Sequence, residues 1–180
     1  QLRRDFRKPL ILMTPKSLLR HKRAVSTLAD MSAESSFHRL LWDDAQYLKD
    51  EPIKLVKDSK IRRVVLCSGK VYYDLYEERE KRGTNDVYIL RLEQLYPFPA
   101  KALITELSRF KNAEMVWCQE EPKNMGAWRF VRERFLDGDL AGFEYRLPGY
   151  LGRAASASPA TGSHKVHTRE QEELVAKAFA

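Results

Sequence analysis

The sequence predicts an α/β fold with a mainly parallel sheet, and two observations predict it. Short apolar runs rich in β-branched residues, VVL at 64–66, VYILRL at 87–92 and MVWC at 115–118, read as buried strands. Helical patterns alternate with these runs along most of the chain, which layers helices over a mostly parallel sheet. The 180 residues, 43% hydrophobic and 32% charged, suffice for one domain with its own core.

Taken in order, residues 1–9 are basic, end at Pro9, and read as a linker. Residues 10–13 (LILM) read as the first strand. Pro15 then favours a short helix through Arg20, and a second helical piece is expected over 24–30. Residues 42–60 are polar and mixed, and are expected to be mostly loop. The organising unit is 61–82: a buried strand, the small-residue turn Cys67-Ser68-Gly69, and a helix from Lys70 with Val71 and Leu75 on one face. Ser68 is expected to cap that helix. Gly69 and Lys70 suit either an anion at the first-turn amides or merely a tight fold of helix onto strand. The second strong strand, 87–92, leads into a loop made rigid by Pro97 and Pro99. A helix over 102–110, a strand over 115–118, a helix over 124–135 and a short strand over 143–147 are expected next. Residues 148–163, rich in Gly, Ala and Ser, read as loop; Thr168 with Gln171 reads as a capping box for a last helix to Phe179.

No apolar run approaches the roughly 20 residues of a membrane helix. The start, QLRRDFRKP, has neither Met nor the apolar core of a signal peptide, so the chain reads as part of a longer protein. Cys67 and Cys118 each end an apolar run and are expected to be buried free thiols. The net charge of +7 is concentrated early, at Arg3, Arg4, Arg7, Lys8, Lys16, Arg20, Lys22 and Arg23. Such a cluster fits nucleic acid, a phosphorylated ligand or an acidic protein surface, but lacks the interleaved aromatics of a single-strand-binding face.

Self-contained chemistry is hard to find. Neither GxGxxG nor GxxxxGK[ST] occurs. Asp137-Gly138-Asp139 lacks the following Asn of a thiamine diphosphate magnesium site and reads as a turn. Glu120 and Glu121 are adjacent at a strand end, point in opposite directions, and read as carboxylates that cap a helix or pair with a basic chain. His164 and His167 lack the further ligands of a metal site, His21 and His38 are isolated, and no triad can be assigned. Residue by residue, the chain reads as a domain that binds or assembles.

Five blocks in register then carry a resemblance over essentially the whole chain: RKPLILMTPKSLLRH (7–21), CSGKVYYDL (67–75), LEQLYPFP (92–99), WCQEEPKNMGAW (117–128) and GRAASASPATG (152–162). Together they resemble the C-terminal region of the thiamine diphosphate-dependent dehydrogenase component of the 2-oxoglutarate dehydrogenase complex. The resemblance implies a three-layer α/β/α, transketolase C-terminal-like domain whose five-stranded sheet is mostly parallel with an antiparallel first strand. It implies a homodimeric, cytoplasmic (or mitochondrial matrix) parent enzyme. That parent decarboxylates 2-oxoglutarate on thiamine diphosphate and magnesium, held upstream, and passes the succinyl group to a dihydrolipoyl succinyltransferase partner. No catalytic or metal-binding residue is expected in this stretch, nor nucleic-acid or membrane binding. Two roles remain: assembly, through the basic start and the GRAASASPATG loop, and effector binding. Acetyl-CoA or AMP sites of the family fall by alignment near Ser36, Arg39, Gln94, Lys101 and Ala102. Gln94 matches, and Lys101 keeps a charge suited to phosphate. Ser36, Arg39 and Ala102 stand where activated members carry Lys, Ser and Arg. Alternatives are the same domain of a 2-oxoadipate dehydrogenase or carboligating decarboxylase, and a free-standing anion-binding module.

Overall fold

A computed structural model describes residues 3–48, 51–136, 138, 140 and 147–180. Its backbone contacts form two units, Gln1–Ser35 and Ser36–Ala180. Among its described residues the first holds only two 3-10 turns, Lys16–Arg20 and Ala29–Met31, and buries none of them. The expected strand over 10–13 and helix over 24–30 therefore do not form here. An apolar run signals burial but does not say in which sheet, and helix 24–30 has too few apolar positions to hold a face.

The second unit builds the sheet. Its elements are β1 (Leu40–Leu41), α1 (Asp44–Tyr47), β2 (Arg63–Cys67), α2 (Val71–Arg82), β3 (Val87–Leu92), α3 (Ala100–Leu107), β4 (Glu114–Pro122), α4 (Trp128–Leu136), β5 (Gly149–Arg153) and α5 (His164–Ala178). The strand order is β1-β3-β2-β4-β5. β3, β2, β4 and β5 run parallel, and β1 lies antiparallel on β3 with Leu40 opposite Leu92 and Leu41 opposite Arg91. The antiparallel first strand is thus present, but two residues long and at 40–41, inside the stretch adjoining the expected loop.

Alternation along each strand sorts the core into two faces. Val64, Leu66, Tyr88, Leu90, Met115 and Trp117 pack under α3 and α4, with Leu103, Leu107, Trp128 and Val131. Val65, Cys67, Val87, Ile89, Val116 and Cys118 pack under α2 and α5, with Leu75, Tyr76, Leu174 and Ala178. This is the three-layer α/β/α arrangement, and near-continuous apolar strands follow from burial on both sides. Each fully buried Leu or Val contributes about 1.5–3 kcal/mol.

Several boundaries differ from expectation. Ser68 does not cap α2: its N-cap is Lys70, without a side-chain cap bond, and Gly69 turns the chain at φ +72°. α4 starts at Trp128, four residues late, because 123–127 turn through Gly126 at φ +65°. The expected strand over 143–147 falls mostly outside the described residues, as do Asp137 and Asp139. The strand β5 lies instead in the expected loop, its two glycines having masked it. α5 begins at His164, so Thr168 lies inside it, and Gln171 turns outward to donate to Asp74 Oδ2 at 2.8 Å.

At the outer edge of β3 sits a buried ion pair. Asp43 and Arg79 are both fully buried, and Asp43 Oδ2 and Oδ1 accept from Arg79 Nη1 and from Nη2, the latter at 2.8 Å. Asp43 also accepts from Ile89 N at 2.7 Å and Ala45 N at 3.0 Å, while Arg79 Nη1 reaches Val87 O at 3.3 Å.

Candidate functional site

In parallel α/β sheets the natural crevice lies outside the carboxyl ends of two adjacent strands whose connections leave on opposite faces. Here those strands are β2, followed by α2, and β4, followed by α4. The crevice is bridged by the fold itself. Lys70 Nζ lies 2.7 Å from Glu120 Oε1 and 3.2 Å from Asp74 Oδ2. Gln171 links Asp74 onward to Arg153, whose Nη2 donates to Gln171 Oε1 at 3.3 Å and to His167 Nδ1 at 2.9 Å. Burial alone would lower the Lys70 pKa, but the Glu120 hydrogen bond and charge outweigh it and raise it. Two carboxylates at the start of α2 repel an anion, so packing, not ligand binding, explains the Cys67-Ser68-Gly69-Lys70 turn. Glu120 pairs with a basic chain, as its position suggested.

Cys67 and Cys118 face each other in register across β2 and β4 as buried free thiols. Burial pushes the Cys118 pKa up to about 12 and raises that of Cys67 as well. Such thiols are poor nucleophiles. Among the described residues no three His, Cys, Asp or Glu side chains are grouped to hold a metal. His167 Nδ1 is engaged by Arg153, whose guanidinium only donates.

A different cleft, about 450 Å³, opens at the other side of the sheet, beyond β3. Its floor is the loop Tyr96-Pro97-Phe98-Pro99, its walls Arg39, the first turn of α3 with Lys101 and Ala102, and Phe130 and Arg134 of α4. Two proline-fixed residues and a cis Tyr96–Pro97 bond shape the floor. Gln94 Nε2 donates to Pro97 O at 2.6 Å, holding the loop from beneath. Arg39 is placed by its own backbone, because Arg39 O accepts from Glu93 N at 3.0 Å and Gln94 N at 3.1 Å. Phe98 meets Phe130 edge-on at 6.1 Å, and the Arg134 guanidinium covers Phe130 at 4.8 Å. Tyr96 presents its ring to solvent, 85% exposed.

The cleft therefore joins three cationic side chains to the amino end of an eight-residue helix and an open aromatic ring. Helix amides, Lys and Arg favour phosphate or carboxylate, and an exposed ring offers a stacking face. Of the five residues aligned to an effector site, the structure brings Arg39, Lys101 and Ala102 to the walls. Gln94 lies below as a support of the loop, and Ser36 is exposed and outside the lining. Phe130 and Arg134 were not found from the sequence. The helix over 124–135 was read for its core face, yet Phe130 and Arg134 are i, i+4 neighbours on the other stripe, and that spacing was the available signal.

Comparison with known proteins agrees with the fold. The 2-oxoglutarate dehydrogenase C-terminal family matches residues 25–179. The chain is 74% identical over 169 residues to proteins named 2-oxoglutarate dehydrogenase E1 component from Brucella ovis and Brucella canis, and 73% identical to that from Brucella abortus. In each the match covers 93% of this chain but 17% of the relative, so the chain spans about a sixth of the length of these proteins. With a family match over most of its length and a sheet of the expected order and polarity, the chain belongs to the 2-oxoglutarate dehydrogenase C-terminal family.

Proposed function

We propose that this domain is the assembly and effector-binding part of a 2-oxoglutarate dehydrogenase. The parent decarboxylates 2-oxoglutarate on thiamine diphosphate with magnesium and passes the succinyl group to a dihydrolipoyl succinyltransferase. The relatives' printed names favour this reading over a related thiamine enzyme or a free-standing anion-binding module. The described residues do not fit a diphosphate-magnesium site, since they group no three metal-ligating side chains. No chemical step is assigned to this domain. The parent is proposed to be a cytoplasmic homodimer, with the basic start and the loop around Ser156 at contacts between copies. No helix described here is long and apolar enough to cross a membrane.

The observation that carries the effector role is the convergence of Arg39, Lys101 and Arg134 on one cleft beside Tyr96. A nucleotide with a phosphate, AMP or acetyl-CoA, suits it: phosphate at Lys101 and the start of α3, base against Tyr96. Calorimetry against AMP and acetyl-CoA, with thiamine diphosphate as control, tests this. Binding of one nucleotide, weakened about tenfold or more by Lys101→Ala or Arg39→Ala, supports the site; each charge-assisted contact is worth about 1.5–3 kcal/mol. Heat that survives both substitutions, or none with either nucleotide on the full-length enzyme, refutes it. Thiamine-dependent turnover of a different keto acid by the full-length enzyme would refute the parent activity.

A further inference from the structure

The guanidiniums set around this sheet are paired with carboxylates. Arg62 pairs with Asp86, Arg63 with Glu114, Arg79 with Asp43, Arg109 with Asp58 and Arg153 with Glu170. Arg91 breaks the pattern. It stands near the carboxyl end of β3, opposite Cys67 of β2 and Leu41 of β1. Its guanidinium carbon lies 3.8 Å over the Tyr72 ring and 5.9 Å from that of Tyr73. Tyr72 is fully buried, so one side of the cation is out of water. The Arg91 Nε is buried without a hydrogen-bond partner, and among the described residues no carboxylate pairs with this side chain. Arg79 also leaves its Nε unbonded, but both of its Nη groups donate to Asp43.

The neighbouring acids are engaged elsewhere. Asp44 Oδ2 accepts from the Tyr72 hydroxyl at 2.7 Å, Asp43 holds Arg79, and Asp74 and Glu120 hold Lys70 on the β4 side of α2. Glu93, just past the strand, donates its backbone N–H to Arg39 O and forms no ion pair with Arg91 among the described residues. A cation that gives up water on one side and gains no anion is left uncompensated. Stacking on tyrosine offsets part of that loss and fixes the plane of the group. A fixed fork is the form of arginine best prepared for a planar carboxylate.

The carboxyl ends of parallel strands are where such sheets meet what they bind. One cation and one ring are too few contacts to hold a small free carboxylate against its loss of motional freedom. An acid already tethered to the same assembly bears little of that loss. The chain matches only 17% of its relatives' length, so most of such a polypeptide lies outside it. We infer that Arg91 is a docking cation, whose guanidinium receives the carboxylate of an Asp or Glu in the part of the full-length polypeptide outside these 180 residues. The inference rests on pairing and stacking, and stands whether or not the cleft beyond β3 binds a nucleotide.

Zero-length crosslinking of the full-length protein tests it. Arg91→Lys keeps the cation and supplies a primary amine. A water-soluble carbodiimide joins such an amine to a carboxylate in contact with it, forming an amide while the carbodiimide takes up the water. Peptide mass spectrometry is expected to find the new amine joined to an Asp or Glu outside the 180 residues. No crosslink from that position, or one to Glu93 or another acid of these residues, overturns the inference. Arg91→Gln is expected to lower the melting temperature of the full-length protein more than that of the 180-residue chain, because both lose the stacking but only one loses the ion pair. Equal shifts overturn it. Acetate that stabilises the 180-residue chain but not its Arg91→Gln variant, with no crosslink in the full-length protein, makes a small carboxylate the occupant and also overturns it. Should Arg91→Lys fail to fold, phenylglyoxal, which modifies guanidiniums, decides on the unmodified proteins. Arg91 is expected to react at least about tenfold more slowly in the full-length protein than in the 180-residue chain, and equal rates overturn the docking.

Discussion

Asp43→Asn is the sharpest test of what holds the sheet edge. The change is nearly isosteric, so it leaves no cavity. Each carboxylate oxygen accepts two donors: Oδ2 takes Arg79 Nη1 and Ile89 N, and Oδ1 takes Arg79 Nη2 and Ala45 N. An asparagine must turn its NH2 toward one of those pairs, donor against donor, in either orientation. It also strips Arg79, fully buried, of its counter-charge. The Asp43 hydrogen bond and charge raise the Arg79 pKa against the effect of burial, so the guanidinium stays charged. Removing one partner of a buried pair costs about 3–5 kcal/mol, out of a total of about 5–15 kcal/mol. Urea unfolding of the purified chain, followed by circular dichroism, reads it. Because the penalty is the orphaned charge, Asp43→Asn combined with Arg79→Met is expected to be more stable than Asp43→Asn alone. A loss below about 1 kcal/mol, or a double variant that simply adds two losses, refutes the reasoning.

Other consequences are as direct. Cys67 and Cys118, desolvated and with raised pKa values, are expected to react with a thiol reagent at neutral pH only as fast as the chain unfolds; rapid labelling of the native chain contradicts this. Burial pushes the Tyr150 hydroxyl up to about 12, above its ordinary value near 10. The fold thus keeps a proton that the unfolded chain loses, so this contribution is complete below pH 10 and disappears as pH rises from 10 to 12. Urea midpoints should fall as pH rises past the ordinary range of the two buried thiols, and fall less between pH 10 and 12 in Tyr150→Phe than in the unmodified chain; an identical fall in the variant over that window removes Tyr150 as a cause. Gly83→Ala and Gly126→Ala both force a side chain to positive φ, at a cost of about 1–2 kcal/mol. Only at Gly126 does the new Cβ also meet the Gln119 amide, at 2.9 Å, so that variant is expected to be the less stable in thermal melts; equal losses would show that Gln119 yields. Gln119 is held by Trp117 Nε1 and Trp128 N, each donating to its Oε1 at 2.9 Å.

What the sequence made legible follows from what each element needs. β2, β3 and β4 are buried on both faces and write that as unbroken apolar runs, and α2 and α3 write an apolar stripe. β1 is two residues long, too short for any period to register, and β5 hides its strand behind Gly149 and Gly152. Its Tyr150 is informative only once Trp128, 5.3 Å away, is known to stack on it. Asp43 carried no local hint, because its partners lie 36 and 46 residues away. The cleft was half legible. Lys101 and Arg39 came from a resemblance, whereas Arg134 and Phe130 join them only after the loop after β3 and α4 are brought together by the core beneath.

The Asp43–Arg79 pair has one more effect. Beyond the two residues covered by β1, the outer rim of β3 would offer unpaired backbone groups at Ile89 N and Val87 O. The carboxylate takes the first and the guanidinium the second. Two charged side chains thus stand where a further strand would add, and a foreign strand could dock only by breaking them. Bare rims of this kind template aggregation and domain swapping. The pair therefore guards this rim against cross-chain pairing. A chain lacking it would be expected to cost the cell in solubility even where enough stability remained to fold.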